Sequence, residues 1–449
     1  MGLESIFRAY DVRGEVPGEI DAGVMERIGK AFGTVLRDNG EEEAVIGRDV
    51  RDSSPELMEA LIRGLVTTGV EVEKVGLVPY GALLSHSRKE EKASAYVTAS
   101  HLSPGNNGVK FAHPDGTGYK EEENARVEEV FREGEFLEGD GGEVETDILE
   151  DYRQNLLGYI DIGALDVILD PGNGAASVAA PDIFWGAEVT LEVMNGDPDG
   201  SFPNRLSDVT EESLNELREE MSEGEHDVGF AYDGDADRFA VIDDEGRLLS
   251  AEETAYIALE QLLDEEEGPV VANVECSRLI EDIADEHGRD VIRTRVGHSY
   301  VFSEVIERGA VLGVETSRHM CIAPMNPVDD GIAASVYLAS AISQMEDSLS
   351  EKVDRIPGYT RDRTSFQVEE ESKFDVVDRL QEELSEQYED TNTKDGIRVE
   401  LEKGWVLIRA SNTSPLVRLT VEAETEEGFE DLKEEFSSEI RDRIDQISD

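Results

Sequence analysis

The chain has 449 residues, with 104 Asp and Glu against 41 Lys and Arg, giving a formal charge of −63. A chain this long exceeds one hydrophobic core and predicts several domains. A surface this acidic repels phosphate backbones and anionic headgroups, which argues against nucleic acid and membrane surfaces as main partners.

In chain order, an apolar strand at 44–46, an amphipathic helix ending near Gly69 and a second strand at 70–75 form the first regular unit. The same plan recurs at 167–169, a helix to Gly186 and 189–193, and again at 270–274, a helix to Gly288 and 291–294. After each unit comes another helical stretch and a short apolar strand that runs into a polar loop. These are 95–97 into Thr98-Ala99-Ser100-His101, 228–231 into Asp233-Gly234-Asp235-Ala236-Asp237, and 311–314 into Glu315-Thr316-Ser317. Ligands sit outside the carboxyl ends of parallel strands, so the three strand ends are expected to face one cleft.

The acidic stretch 121–150 reads as a first linker and the turn-rich 354–364 as a last one. Beyond it, a helix around 374–388, strands at 396–401, 405–409 and 416–424, and a final helix from Gly428 predict a small α+β domain. The uncharged stretch 331–345 is shorter than the roughly 20 residues a membrane helix needs and reads as a buried helix. Cys276 and Cys321 are too few for a disulfide scaffold, and the N-terminus carries no apolar signal region, so the cytoplasm is the expected compartment. Lysine is missing between Lys120 and Lys352, and the acid is spread along the whole chain. That composition resembles proteins that work in concentrated salt.

Asp233-Gly234-Asp235-Ala236-Asp237-Arg238 is the most specific local signal. Carboxylates two apart project to one side of an extended segment, with small residues leaving room for Mg²⁺ between them. An EF-hand would need glycine where Arg238 stands, and a solvated acidic turn is the bland alternative. Ser100, beside His101 and followed through Ser103-Pro104-Gly105-Asn106-Asn107-Gly108 by Lys110, has the parts of a phosphoryl-carrying nucleophile. A simple turn also accounts for that segment. Arg409-Ala410-Ser411-Asn412-Thr413-Ser414-Pro415, with Arg418 just inside the next strand, can cradle an anion or merely cap a hairpin. Glu315-Thr316-Ser317-Arg318-His319 offers groups for sugar hydroxyls or an ordinary strand exit. Asp170-Pro171-Gly172-Asn173-Gly174-Ala175-Ala176-Ser177, with Glu192 about twenty residues on, is a partial dinucleotide fingerprint that lacks its third glycine.

Together with Phe7-Arg8-Ala9-Tyr10-Asp11-Val12-Arg13-Gly14 and Gly47-Arg48-Asp49, the Ser100 segment, the Asp233–Asp237 loop, Glu315–Ser317 and the Arg409–Pro415 loop occur in the order and approximate spacing of the α-D-phosphohexomutase family, which the chain resembles over nearly its whole length. That family includes phosphomannomutase/phosphoglucomutase and phosphoglucosamine mutase. The resemblance implies an α/β fold of three topologically similar α/β domains plus a C-terminal α+β domain around a central cleft. The expected boundaries are 1–140 for the phosphoserine, 141–249 for the metal, 250–358 for sugar recognition and 359–449 for phosphate binding.

The resemblance implies Ser100 as the phosphoserine, with Asp233, Asp235 and Asp237 joining it as Mg²⁺ ligands. Arg13, His101, Lys110 and Arg238 would serve catalysis. Tyr10, His298, Glu315, Ser317, Arg409, Ser411, Asn412, Thr413 and Arg418 would bind substrate. It further implies a glucose 1,6-bisphosphate-type activator, small sugar phosphates as partners, and a monomer or homodimer. The expected reaction interconverts hexose 1- and 6-phosphates of mannose or glucose. A phosphoglucosamine mutase, a metal-dependent sugar phosphatase and an NAD-dependent oxidoreductase are the alternatives. Val314 and Arg318 replace two glycines of the family's usual sugar loop, Glu275 stands where some bacterial members have lysine, and Leu102-Ser103-Pro104 replaces the usual Asn-Pro after His101.

Overall fold

The structure, a computed structural model, describes residues 6–187, 189–411 and 414–448. Strands β1 (Val12–Glu15), β2 (Glu43–Arg48), β3 (Glu71–Leu77), β4 (Ala93–Val97), β5 (Asn106–Ala112) and β6 (Glu143–Glu145) form a sheet in the order β1-β5-β4-β2-β3-β6. A second sheet, β10-β9-β7-β8, contains β7 (Asp166–Asp170), β8 (Thr190–Val193), β9 (Val228–Tyr232) and β10 (Phe239–Asp243). A third, β12-β11-β13-β14, contains β11 (Val270–Asn273), β12 (Val291–Thr294), β13 (Leu312–Val314) and β14 (Met320–Ile322).

Without edge strands β1 and β6, the first sheet is β5-β4-β2-β3, and the three sheets then share one topology. In each, the first strand pairs in parallel with the second and the third, and the third turns back antiparallel into a fourth. The repeat expected from hydropathy is therefore real. Its three hairpin turns carry Ser100, Asp233–Asp237 and Glu315–Ser317, each just past the carboxyl end of a parallel strand.

One apolar core runs through all three domains, from Tyr80 and Leu83 through Val167 and Phe230 to Val270, Leu312 and Ile332. Burial of this size is the main force holding the three sheets in a fixed relation. The stretch 331–345 is buried as expected, as helix Gly331–Ser343, and no described helix is long and apolar enough to cross a membrane.

The fourth domain is an antiparallel sheet with its own core. Its strands are β15 (Thr360–Gln367), β16 (Thr391–Asn392), β17 (Ile397–Leu401), β18 (Gly404–Ala410) and β19 (Leu416–Ala423), in the order β15-β19-β18-β17-β16, and it is covered by helices Lys373–Gln387 and Glu426–Ser448. It meets the third domain through a small apolar cluster of Val274, Trp405 and Leu407. Arg398 lies over the Trp405 ring and donates to Val274 O at 2.8 Å and Cys276 O at 2.9 Å.

Both expected linkers need correction. The stretch 121–150 opens with helix Glu121–Glu133, which buries Val127, Val130 and Phe131 against the first core, then forms β6, paired with β3, and ends in the first turn of helix Leu149–Leu157. The helical spacing of those three apolar residues is masked by the acids between them. The stretch 354–364 runs into β15, whose only buried residue is Phe366. That strand is specified by eight register pairs with β19 rather than by alternation of its own.

Candidate active site

Ser100 adopts φ +49°, in the left-handed region that costs a non-glycine residue energy and persists only where neighbours impose it. The imposing residue is Arg51, fully buried, whose Nη2 donates to Ser100 O at 2.7 Å and Leu102 O at 2.6 Å. Its Nη1 donates to Ser103 O at 2.7 Å and Asn106 O at 3.1 Å, and its Nε to Asp49 Oδ2 at 3.0 Å. Asp49 also accepts from Thr98 Oγ1 at 2.8 Å, and Thr98 Oγ1 in turn accepts from Ser100 N at 2.8 Å. So clamped, Ser100 directs Oγ across the domain boundary to donate to Asp233 Oδ2 at 2.9 Å. A Cβ on Gly234 would come within 2.5 Å of Ser100 O, so only glycine lets the two loops approach this closely.

Asp233, Asp235 and Asp237 are all buried, with one oxygen of each within 4.8 Å of the others. Lys110 Nζ, over the Tyr80 ring, donates to Asp235 Oδ2 at 2.8 Å and to Asp237 Oδ2. The remaining oxygens, Asp235 Oδ1 and Asp237 Oδ1, are buried with no hydrogen-bond partner among the described residues. Burial and then the Asp237 and Asp235 charges push the Asp233 carboxyl well above the usual range. Against the same burial, Lys110, His319 and Arg238 hold Asp237 well below it. Orphaned carboxylate oxygens in a dry pocket fit a hard divalent cation, which would relieve the repulsion that raises Asp233.

Arg238 joins the three hairpin turns. Its Nη2 donates to His101 Nδ1 at 2.8 Å, its Nε to His319 Nε2 at 3.0 Å, and its backbone bridges to His319. His101 Nδ1 also lies 3.3 Å from Ser100 Oγ, and burial followed by the Arg238 charge lowers the ring's pKa to about 2, so it stays neutral. Arg13, paired with Asp11 at 2.6 Å, adds to that lowering. His319 Nδ1 faces Asp329 Oδ2 at 2.8 Å, His298 Nδ1 faces the same oxygen at 3.1 Å, and the two imidazoles stack at 4.8 Å. Tyr10 packs edge-on near His298 and donates to Val296 O at 3.2 Å.

In the third hairpin, Glu315 Oε1 accepts from Gly297 N at 2.7 Å and Asn273 Nδ2 at 3.1 Å, and its Oε2 accepts from Ser317 Oγ at 2.8 Å. Both residues line a cleft of about 510 Å³ with Glu275, Arg361, Arg363 and Thr420. Arg318, in place of the usual glycine, takes φ +75° and is tied down by donating Nη1 to Leu249 O at 2.7 Å. In the fourth domain Arg409 stands directly opposite Arg418 across β18 and β19, and Ser411 follows, fully buried. Asn412 and Thr413 lie outside the described residues.

The partial dinucleotide fingerprint offers no cradle for a pyrophosphate. The Arg205 guanidinium sits 2.5 Å from where a Gly172 Cβ would be, and Ala175 N is spent on Gly234 O at 3.0 Å, so this turn buttresses the aspartate loop. Sequence reading overlooked Arg51, Thr98, His319 and Asp329. Thr98 and His319 stood inside motifs already singled out, but neither was given a role there, and Arg51 and Asp329 carry no motif of their own.

Descriptions of the phosphoglucomutase/phosphomannomutase domains match the chain in order: alpha/beta/alpha domain I over 4–138, II over 149–246, III over 250–359 and the C-terminal domain over 364–439. A phosphoglucomutase/phosphomannomutase of Thermococcus kodakarensis is 32% identical over 438 residues, covering 95% of this chain and 96% of that one. A probable phosphoglucosamine mutase of Methanothermobacter thermautotrophicus is 34% identical over 437 residues, covering 94% of each. A phosphoglucomutase/phosphomannomutase family protein of Burkholderia thailandensis superposes with a TM-score of 0.90 at 28% identity, covering 98% of both chains. With four domains matched in order and relatives above 30% identity along nearly its full length, the chain belongs to the phosphoglucomutase/phosphomannomutase family of phosphohexomutases.

Proposed function

We propose that this phosphohexomutase interconverts the 1- and 6-phosphates of mannose and glucose with Ser100 as phosphoryl carrier. The observation that carries the reading is Ser100 Oγ, held in a strained backbone and aimed 2.9 Å from Asp233 beside two orphaned carboxylate oxygens. On this reading residues 1–140 carry the phosphoserine, 141–249 the metal ligands, 250–358 the sugar contacts and 359–449 the phosphate contacts.

A sugar hydroxyl oxygen attacks the phosphorus carried on Ser100. The Oγ–P bond breaks as the new O–P bond forms, and the hydroxyl proton passes to His319 Nε2, whose lone pair becomes available when the bound phosphoryl group draws the Arg238 guanidinium off it, while Asp329 holds Nδ1–H. The resulting bisphosphate reverses in the cleft and returns its other phosphoryl group to Oγ. Arg238 and Lys110 offset charge on the transferring oxygens, and neutral His101 keeps Nε2–H free to donate. Asp233, Asp235, Asp237 and the oxygen on Ser100 would hold Mg²⁺, which supplies Lewis-acid neutralisation of the phosphoryl group. A glucose 1,6-bisphosphate-type activator would phosphorylate Ser100 anew after loss of its phosphate. The enzyme would act in the cytoplasm as a monomer or homodimer, and the buried free thiols Cys276 and Cys321 support that compartment.

A second reading, phosphoglucosamine mutase, is favoured by the name of the relative from Methanothermobacter thermautotrophicus. Intact-protein mass, with product analysis on mannose, glucose and glucosamine 1-phosphates, tests both readings. A phosphorylated Ser100 and the isomerised sugar phosphate are expected. Release of inorganic phosphate alone would replace the mutase reading with a phosphatase.

A further inference from the structure

Glu275, two residues past β11, is 5% exposed, and its Oε1 bridges two guanidiniums of the fourth domain. It lies 3.0 Å from Arg363 Nη2, as an ion pair, and accepts from Arg409 Nη1 at 3.1 Å. A single anionic oxygen shared by two arginines is the arrangement a phosphate oxygen takes. The surroundings are built for more negative charge than one carboxylate provides. Arg409 directly opposes Arg418, and Arg363 pairs with Thr420, two residues further along the same strand, so three guanidiniums lie on adjacent strands. Opposed like charges in a ladder are unfavourable without a counterion. After burial, Arg363 and Arg409 are what hold the Arg418 pKa below its usual range. Two buried donors also make no hydrogen bond among the described residues: Arg409 Nε, with Asp395 Oδ2 at 3.5 Å as an ion pair, and Ser411 Oγ.

We propose that Glu275 is an internal competitor for the substrate's non-transferring phosphate, seated on Arg363 and Arg409 until that phosphate displaces it, and that Arg363 is a substrate-binding residue. The proposal rests on the reading of the Arg409 loop as the phosphate site. Displaced, the carboxylate swings into the cleft it already lines with Arg361 and Thr420. The competition has a use in this reaction. The bisphosphate must leave the seat once in every turnover to reverse, and a carboxylate that retakes the arginines speeds that departure while balancing their mutual repulsion in the empty enzyme. Charge removal at Glu275 therefore tightens binding and slows turnover, the opposite of what loss of an ordinary binding contact does.

The test is calorimetric titration of inorganic phosphate and glucose 1-phosphate into the wild type, Glu275→Gln, Arg363→Ala and Arg409→Ala, with steady-state kinetics on each. Glu275→Gln is expected to bind both anions about 3- to 30-fold tighter, with KM and kcat both lower, and Arg363→Ala to bind them more weakly by a similar factor. Arg363 is 42% exposed, so its variant folds and keeps the proposal testable should Glu275→Gln be unstable. If Arg409→Ala loses phosphate while Glu275→Gln binds it no more tightly than wild type, the competition is wrong and the phosphate site stands. If Arg409→Ala binds phosphate like wild type, the site reading itself falls. Phosphate affinity unchanged in Arg363→Ala also overturns the proposal. So does a Glu275→Gln enzyme that loses turnover of glucosamine 6-phosphate alone, because the carboxylate would then be reading a substrate ammonium group.

Discussion

The Ser100 junction and the Arg409 junction each join two domains, and they are held in different ways. At Ser100, the first and second domains share an apolar core. The loop backbone is satisfied by one buried guanidinium, and Gly234 lets the loops touch. At Arg409, the fourth domain keeps its own core and meets the third through arginines on carbonyls and carboxylates, with one small apolar cluster. Group transfer needs a reacting atom fixed to a few tenths of an ångström, which dry, interlocked contacts provide. Capture and release of a whole sugar phosphate needs donors left open and a joint that exchanges partners, which an ion-paired boundary provides.

The sharpest way to break this comparison is Ser100→Ala. The hydroxyl touches only Asp233 and, at 3.3 Å, His101 among the described residues, so the fold is expected to survive while turnover drops by about 10⁴-fold. Near wild-type turnover in a variant with an unchanged melting curve would remove Ser100 from the chemistry. Next in size is Arg51→Met, which leaves Asp49 buried without its cation and four loop carbonyls without their donor. Breaking such a pair costs about 3–5 kcal/mol, so a large fall in the melting midpoint is expected. A midpoint close to wild type would mean that the loop holds its strained shape unaided.

Smaller still is a pH effect at the point where the first three domains meet. Asp330 accepts from Tyr152 OH at 2.8 Å, Asn326 Nδ2 at 2.7 Å and Ala333 N at 3.0 Å, with Gly81 leaving it room. Burial pushes its pKa to about 6 despite those donors, above the 3.8 it has when unfolded. A carboxyl raised on folding favours the protonated native state, so its contribution is complete below the unfolded value and is lost as pH rises through about 6. Asp330→Asn removes that dependence. Its stability relative to wild type is therefore expected to improve by up to about 3 kcal/mol between pH 4 and pH 7, read from melts across that range. A difference that stays flat would show the carboxylate ionised throughout.

How much of this was legible in the sequence follows from where the signals lie. The three hairpins were readable because each strand and helix announces itself locally and the pattern repeats, and the tripled aspartate needs only five residues to be seen. Arg51 was not readable, since its worth depends on carbonyls about fifty residues away that only the folded loop presents. Arg363 was hidden in a strand whose apolar content is a single Phe366 and whose register is set by β19. His319, Asp329 and His298 form one stacked cluster, yet two of the three carried no pattern of their own. Local periodicity exposes elements and loops, whereas pairings between domains become visible only in the fold.

Salt gives the smallest effect and separates the two kinds of joint. Raising KCl shortens the Debye length from about 10 Å at 0.1 M to about 3 Å at 1 M, which relieves repulsion among 104 acidic residues. The same screening weakens partly exposed pairs such as Arg361–Glu252 and Arg363–Glu275, which help seat the fourth domain. Exposed pairs are each worth under about 1 kcal/mol, and the seat also rests on Arg398 and the buried Trp405, which salt leaves intact. The global unfolding midpoint is therefore expected to rise between 0.05 and 2 M KCl. The fluorescence of Trp405 reports the seat itself, because the other tryptophan, Trp185, is 56% exposed and supplies a constant background. Trp405 emission is expected to stay at short wavelength at every salt concentration until the global transition. A red shift in high salt, ahead of unfolding, would mean that ion pairs alone hold the fourth domain. A midpoint that fails to rise would mean that the acidic surface is no adaptation to salt.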